Sequence, residues 1–104
     1  MKLLIVTSLK DHQSDVARLL TQAGITVFSA SETTGFKNPA EENLLTNWFA
    51  RSRDQYNSIF LFSFTSAANA EEALKLISNH NLTQNTGFPI RAFVLAVEKT
   101  NYEN

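Results

Sequence analysis

The sequence predicts an α+β domain with a ferredoxin-like βαββαβ order and a four-stranded antiparallel sheet. Two observations carry that expectation. Four short apolar runs, each of strand length, are separated by two segments whose apolar residues recur at helical spacing. The connection between the second and third runs is far longer than a hairpin loop and contains a helix pattern of its own, which adds an extra helix to the β2-β3 connection.

Residues 2–8, KLLIVTS, are apolar and β-branched and read as a buried strand. Asp11 is placed to cap a helix whose positions Val16, Leu19, Leu20 and Ala23 share one face. Gly24 is placed to end that helix in a left-handed cap, with Ile25 folding back as its apolar contact. A second strand, ITVFSASETT, follows. In the insert, Asn38, Pro39 and Glu41 form a helix start, and Ala40, Leu44, Leu45, Trp48 and Phe49 give it an apolar stripe. SIFLFSFT, at 58–65, is the third strand, preceded by the turn-like DQYN. Asn69 and Glu72 resemble a capping box for a helix with Ala70, Ala73, Leu74 and Ile77 inside and a Glu71–Lys75 pair outside. NHNLTQNTGFP reads as loop and IRAFVLAVEK as the last strand.

One domain spanning 1–104 is expected, because single cores commonly take about 100–150 residues. Nine basic and ten acidic residues, with no Lys/Arg run, argue against nucleic acid as a partner. The absence of cysteine removes disulfides, thiolate metal sites and thiol catalysis. The opening apolar run is too short for a secretory signal, and no window approaches the roughly 18 apolar residues of a membrane span. The expected location is the cytoplasm, with no direct membrane insertion.

Side chains alternate across a strand, so helices on one face of a sheet leave the other face free to be polar. Here both faces are apolar. Leu3 and Ile5 oppose Leu4 and Val6 on the first strand; Phe60, Phe62 and Phe64 oppose Ile59 and Leu61 on the third. Phe93, Leu95 and Val97 oppose Ile90, Ala92, Val94 and Ala96 on the fourth. Leaving six large side chains wet would forgo roughly 1.5–3 kcal/mol each. The second face therefore calls for a cover, either the inserted helix or, since one helix spans only part of a four-stranded face, further copies of the chain.

With these features, MKLLIVTSLKDHQSDVARLLTQAGITVFSASETTGF resembles the opening of the PII-like (nitrogen regulatory protein PII and CutA-like) family of small trimeric signalling proteins. The similarity lies in Leu20 to Ile25, in Ser31-Glu32 and in Gly35-Phe36, and extends to RAFVLAVEK near the end. The resemblance implies a homotrimer whose sheets face a central axis. It also implies that the stretch at about 36–57 occupies the place of the family's T-loop, which docks on a transporter, enzyme or regulator. Ligands in that family sit in clefts between subunits, at the T-loop base and at a turn before the last strand. Mapped here, those places are Gly35, Phe36 and Lys37, then Gly87 and Arg91. Leu44, Leu45, Trp48 and Phe49 become the expected partner-binding residues.

The chain departs from the family where nucleotides bind. Lys37, Asn38 and Pro39 replace a glutamine-containing run, and NTGFPIR lacks the closely spaced glycines that bring backbone N–H groups to phosphate. Pro89 has no N–H to give. No nucleotide or other cofactor is assigned on this basis. Arg91 has the planar fork that suits a phosphate or carboxylate, its alternative being a solvated strand end or an intersubunit ion pair. Lys37 is weighed between the opposite rim of a cleft and a solvated loop. His12 and His80 show no metal-ligand spacing, so no metal is predicted. No serine has a nucleophile-elbow context and no phosphate loop is present, so no catalytic residue is assigned. The alternatives to a signalling trimer are a metal-tolerance protein, CutA-like or associated with an efflux pump, and a small dimeric ferredoxin-like enzyme.

Overall fold

The structure, a computed structural model, describes residues 1–36, 55–84 and 87–102. The elements run β1 (Lys2–Leu9), a 3-10 turn (Lys10–His12), α1 (Gln13–Gln22), β2 (Ser29–Phe36), β3 (Gln55–Thr65), α2 (Ala67–Gln84) and β4 (Arg91–Ala96). The four strands form one sheet in the order β2-β3-β1-β4. Every neighbouring pair is antiparallel. This α+β architecture of two described helices and a four-stranded antiparallel sheet is compatible with a ferredoxin-like fold. The inserted helix expected over 39–51 lies outside the described residues.

Alternation along the strands divides the sheet as the sequence pattern demands. On one face, Leu4, Val6 and Leu61 join Val16, Leu19 and Leu20 of α1 and Ala73 and Ile77 of α2 in a single buried core. Both helices therefore pack on that face. Ile25 and Ile90 close its two ends. Val16, Leu4, Val6, Leu20, Ala70 and Ala73 are wholly inaccessible to solvent, which makes this face complete within one chain.

The end of α1 forms as the sequence indicates. Gly24 adopts φ +89°, the left-handed region that side chains disfavour. Its N–H donates to the Thr21 carbonyl at 3.0 Å, and the Ile25 N–H donates to the Leu20 carbonyl at 2.9 Å. These are the two bonds of a Schellman cap.

Other local expectations are corrected. Asp11 lies in the 3-10 turn and makes no cap; α1 starts at Gln13 with no side-chain cap hydrogen bond. Helix α2 starts at Ala67, because Ser66 Oγ accepts from the Asn69 N–H at 3.2 Å and takes the capping role assigned to Asn69. Asn69 is thereby free to reach α1, donating from Nδ2 to the Gly24 carbonyl at 3.3 Å. The segment 79–84, expected as loop, continues α2. The reason is tertiary: Asn81 Nδ2 donates to the Ile90 carbonyl at 2.7 Å and its Oδ1 accepts from the Ile90 N–H at 3.0 Å. Those two bonds fasten the last turns of α2 to the residue just before β4. Strand β2 begins at Ser29 rather than Ile25, β3 at Gln55 rather than Ser58, and β4 spans Arg91–Ala96 rather than 90–99. Leu74 is only half-buried, and Leu76 packs on the core instead. Glu71 and Lys75 form no ion pair; among the described residues the pairs are Lys10–Glu32 at 3.0 Å and Asp15–Arg18 at 3.4 Å.

Candidate functional site

Two features of the chain stand out, and both follow from strand register. The first is the sheet face turned away from the helices. Leu3 stands opposite Phe64 and Leu95, and Ile5 opposite Phe62 and Phe93. The rings of Phe60, Phe62 and Phe64 follow one another along β3 with centroids 6.3 Å and then 6.2 Å apart, tilted and edge-on. Phe60 and Phe62 are each 37% exposed, Phe64 58%, Phe93 53% and Leu95 45%. Taking about 150–250 Å² per aromatic side chain, the four phenylalanines alone leave roughly 300–450 Å² uncovered. The largest apolar patch on a typical monomer is about 300–600 Å² and is often functional.

The second feature is a cleft of about 330 Å³ at one end of the sheet. It gathers Phe36 from the end of β2, Gly87 from the turn after α2 and Arg91 from the start of β4, three of the five residues expected to hold a ligand. Gly35, the residue before Phe36, is not among the lining residues. In register with Gly35 is Tyr56. The Tyr56 ring lies so close over the Gly35 Cα that a Cβ there would collide with it. Any side chain at position 35 would push that ring aside, which gives the glycine a packing role. Lys37, Leu44, Leu45, Trp48 and Phe49 lie outside the described residues.

Sequence reasoning missed the other walls. Tyr56 and Phe88 line the cleft with ring centroids 5.3 Å apart, inclined at 55°. Thr7 lines it too and is the cross-strand partner of Arg91. The signal was present in the pairing of β1 with β4 and of β2 with β3, but register is invisible until the strands are assembled. Ser58, also at the cleft, is engaged: its Oγ lies 2.6 Å from Thr33 Oγ1. Ser8 Oγ likewise donates to the Leu9 carbonyl at 2.9 Å. Among the described residues no hydrogen bond engages the side-chain hydroxyls of Thr7 and Tyr56, which line the same cleft.

Charge at the cleft is one-sided. Arg91 is the one ionised group among its described lining residues, and no carboxylate among the described residues pairs with it. β2 ends at Phe36, whose partner in register is Gln55 at the start of β3, and Phe36 lines the cleft, so the cleft lies where those two strand ends meet.

The two histidines share a smaller cavity. His12, Asp15 and His80 line about 30 Å³ beside Asn81 and Ile90, and His12 Nδ1 is buried with no hydrogen-bond partner. That volume admits roughly one water. Among the described residues no group of three His, Cys, Asp or Glu side chains converges as a metal site would need. His80 lies inside α2, where its carbonyl accepts from Thr83 Oγ1 at 3.0 Å. No described helix is long and apolar enough to cross a membrane.

No protein-family model matches the chain, and no curated protein does.

Proposed function

We propose that the protein is a PII-like regulatory trimer, a ferredoxin-like βαββαβ unit that docks on a partner protein through its β2-β3 arm and takes a small ligand in the cleft at the arm's root. The observation that carries this reading is the apolar sheet face left open opposite the helices. Phe60, Phe62, Phe64, Phe93 and Leu95 stand together on that face, and apolar patches of several hundred Å² are often functional. Packing the sheets of three copies around an axis removes them from solvent together and leaves the cleft and arm at the periphery.

The arm supplies the regulatory half of the proposal. Leu44, Leu45, Trp48 and Phe49 have the i, i+1, i+4, i+5 spacing of a helical docking stripe for a transporter, an enzyme or another regulator. Because Phe36 and Tyr56, at the two roots of the arm, both line the cleft, a ligand seated there touches the points from which the arm departs. Occupancy and partner binding are coupled in this scheme without chemistry on the ligand, so the protein acts as a sensor and not as an enzyme.

Sedimentation velocity on the full chain at micromolar concentration tests the assembly. The expected species has three times the chain mass of 11.6 kDa. A single 11.6 kDa species would remove the basis for the proposal.

A further inference from the structure

We infer that the cleft between the β1-β4 end of the sheet and the root of the arm is a binding site for a small aryl carboxylate, a planar ring bearing one negative charge. The inference rests on the ligand-binding part of the reading above and is independent of how many copies assemble.

Charge comes first. Arg91 is exposed at the rim, with no acidic partner among the described residues and no other ionised group in the described lining. A lone guanidinium offers a fork of parallel N–H donors that fits a carboxylate in bidentate fashion. Thr7 sits directly across from Arg91 in the β1-β4 ladder. Cβ atoms of such cross-strand partners are about 4.5–5.5 Å apart, so the Thr7 hydroxyl can reach the same carboxylate as the guanidinium.

The remaining walls are flat and apolar. Tyr56 is held against Gly35, and its ring meets Phe88 at 5.3 Å in a tilted arrangement. Phe36 faces the space 66% exposed. Pro89 adds another rigid apolar surface. A volume of about 330 Å³ stands at the lower end of the ~300–1,000 Å³ range of ligand pockets, which favours a single-ring molecule. The Tyr56 hydroxyl, which no hydrogen bond among the described residues engages, serves as a donor or acceptor for a polar substituent on that ring.

The same walls weigh against polyphosphates. Several negative charges require several cations or a nest of converging backbone N–H groups. The described lining gives one cation, and Pro89 removes an N–H from the turn where such a nest would form. A carboxylate monoanion matches the one positive charge of the described lining.

Titration followed by ¹H–¹⁵N NMR and calorimetry decides the matter, using 3-phenylpropionate as probe, with 3-phenylpropionamide, acetate, inorganic phosphate and ATP for comparison. Saturable binding of 3-phenylpropionate is expected, with shifts at Thr7, Tyr56 and Arg91 and none at Ala68 or Ser78 on the far side of α2. The neutral amide and acetate should each bind about tenfold more weakly or worse, since one loses the charge-assisted pair and the other the ring contacts. Arg91→Ala should weaken 3-phenylpropionate about tenfold or more, and Arg91→Lys by less. Phe62→Glu, on the open face, should leave its affinity within about twofold, because every described wall comes from one chain. Equal binding of acid and amide, tighter binding of ATP or inorganic phosphate, an unaltered affinity in a folded Arg91→Ala variant, or no saturable response at millimolar 3-phenylpropionate would each overturn the assignment. Loss of binding in Phe62→Glu would overturn a site contained in one chain. The solution mass, measured separately, reports on the trimer, so either idea can fail without the other.

Discussion

Leu4 and Leu3 are chemically identical neighbours on the same strand, yet Leu4 is wholly buried under two helices while Leu3 belongs to a face that is uncovered in the single chain. The contrast extends across the sheet. On the helix side, Ile59 and Leu61 are about 1% exposed; on the other, Phe60 and Phe62 reach 37%. The same apolar alternation thus gives a finished core on one side and an unfinished one on the other. The first face holds the buried core of the chain, and the second is left open to solvent.

Variants that separate the two faces sharpen this contrast, and the largest effect belongs to the covered side. Leu61→Ala should destabilise the fold by about 2–5 kcal/mol in chemical denaturation, through lost burial and the cavity left behind. Phe62→Glu, one residue along, should act differently. It should leave far-UV circular dichroism unchanged and convert the assembled species to monomer by light scattering, because a carboxylate cannot be buried unpaired among phenylalanines. If Phe62→Glu instead unfolds the chain while the assembly mass of the wild type is that of one copy, the distinction between the faces disappears.

Smaller effects test the fastenings at the edges. Asn81→Ala leaves the Ile90 N–H and carbonyl without their partner and should cost about 1–3 kcal/mol by the same denaturation measurement. Gly35→Ala should displace the Tyr56 ring, lowering stability by about 1 kcal/mol and changing the tyrosine near-UV signal. Lys10→Ala removes an exposed ion pair with Glu32 and should change stability by no more than about 0.2–1 kcal/mol.

The two faces were legible in the sequence because strand alternation has a period of two and needs no knowledge of the partners. The Gly24 cap was legible for a similar reason: a helical stripe, a glycine and an isoleucine follow in fixed order. The second helix was not, at either end. Ser66 and Asn69 are both good caps, and which one serves depends on Asn69 being drawn to the Gly24 carbonyl 45 residues away. The polar tract at 79–84 has weak helix preference and is held by the backbone of Ile90, a contact no local pattern announces. In the cleft, Phe36, Gly87 and Arg91 came from the resemblance, whereas Thr7, Tyr56 and Phe88 became visible only through strand register and the fold of the turn.

The account rests on other copies of the chain completing the open face, and the dependence of thermal stability on protein concentration tests this most directly. Association that favours the folded state makes Tm rise with concentration. A hundredfold increase should raise Tm by several degrees in the wild type and leave it unchanged in Phe62→Glu. A wild-type Tm that stays constant over that range would show that the phenylalanine face needs no second copy.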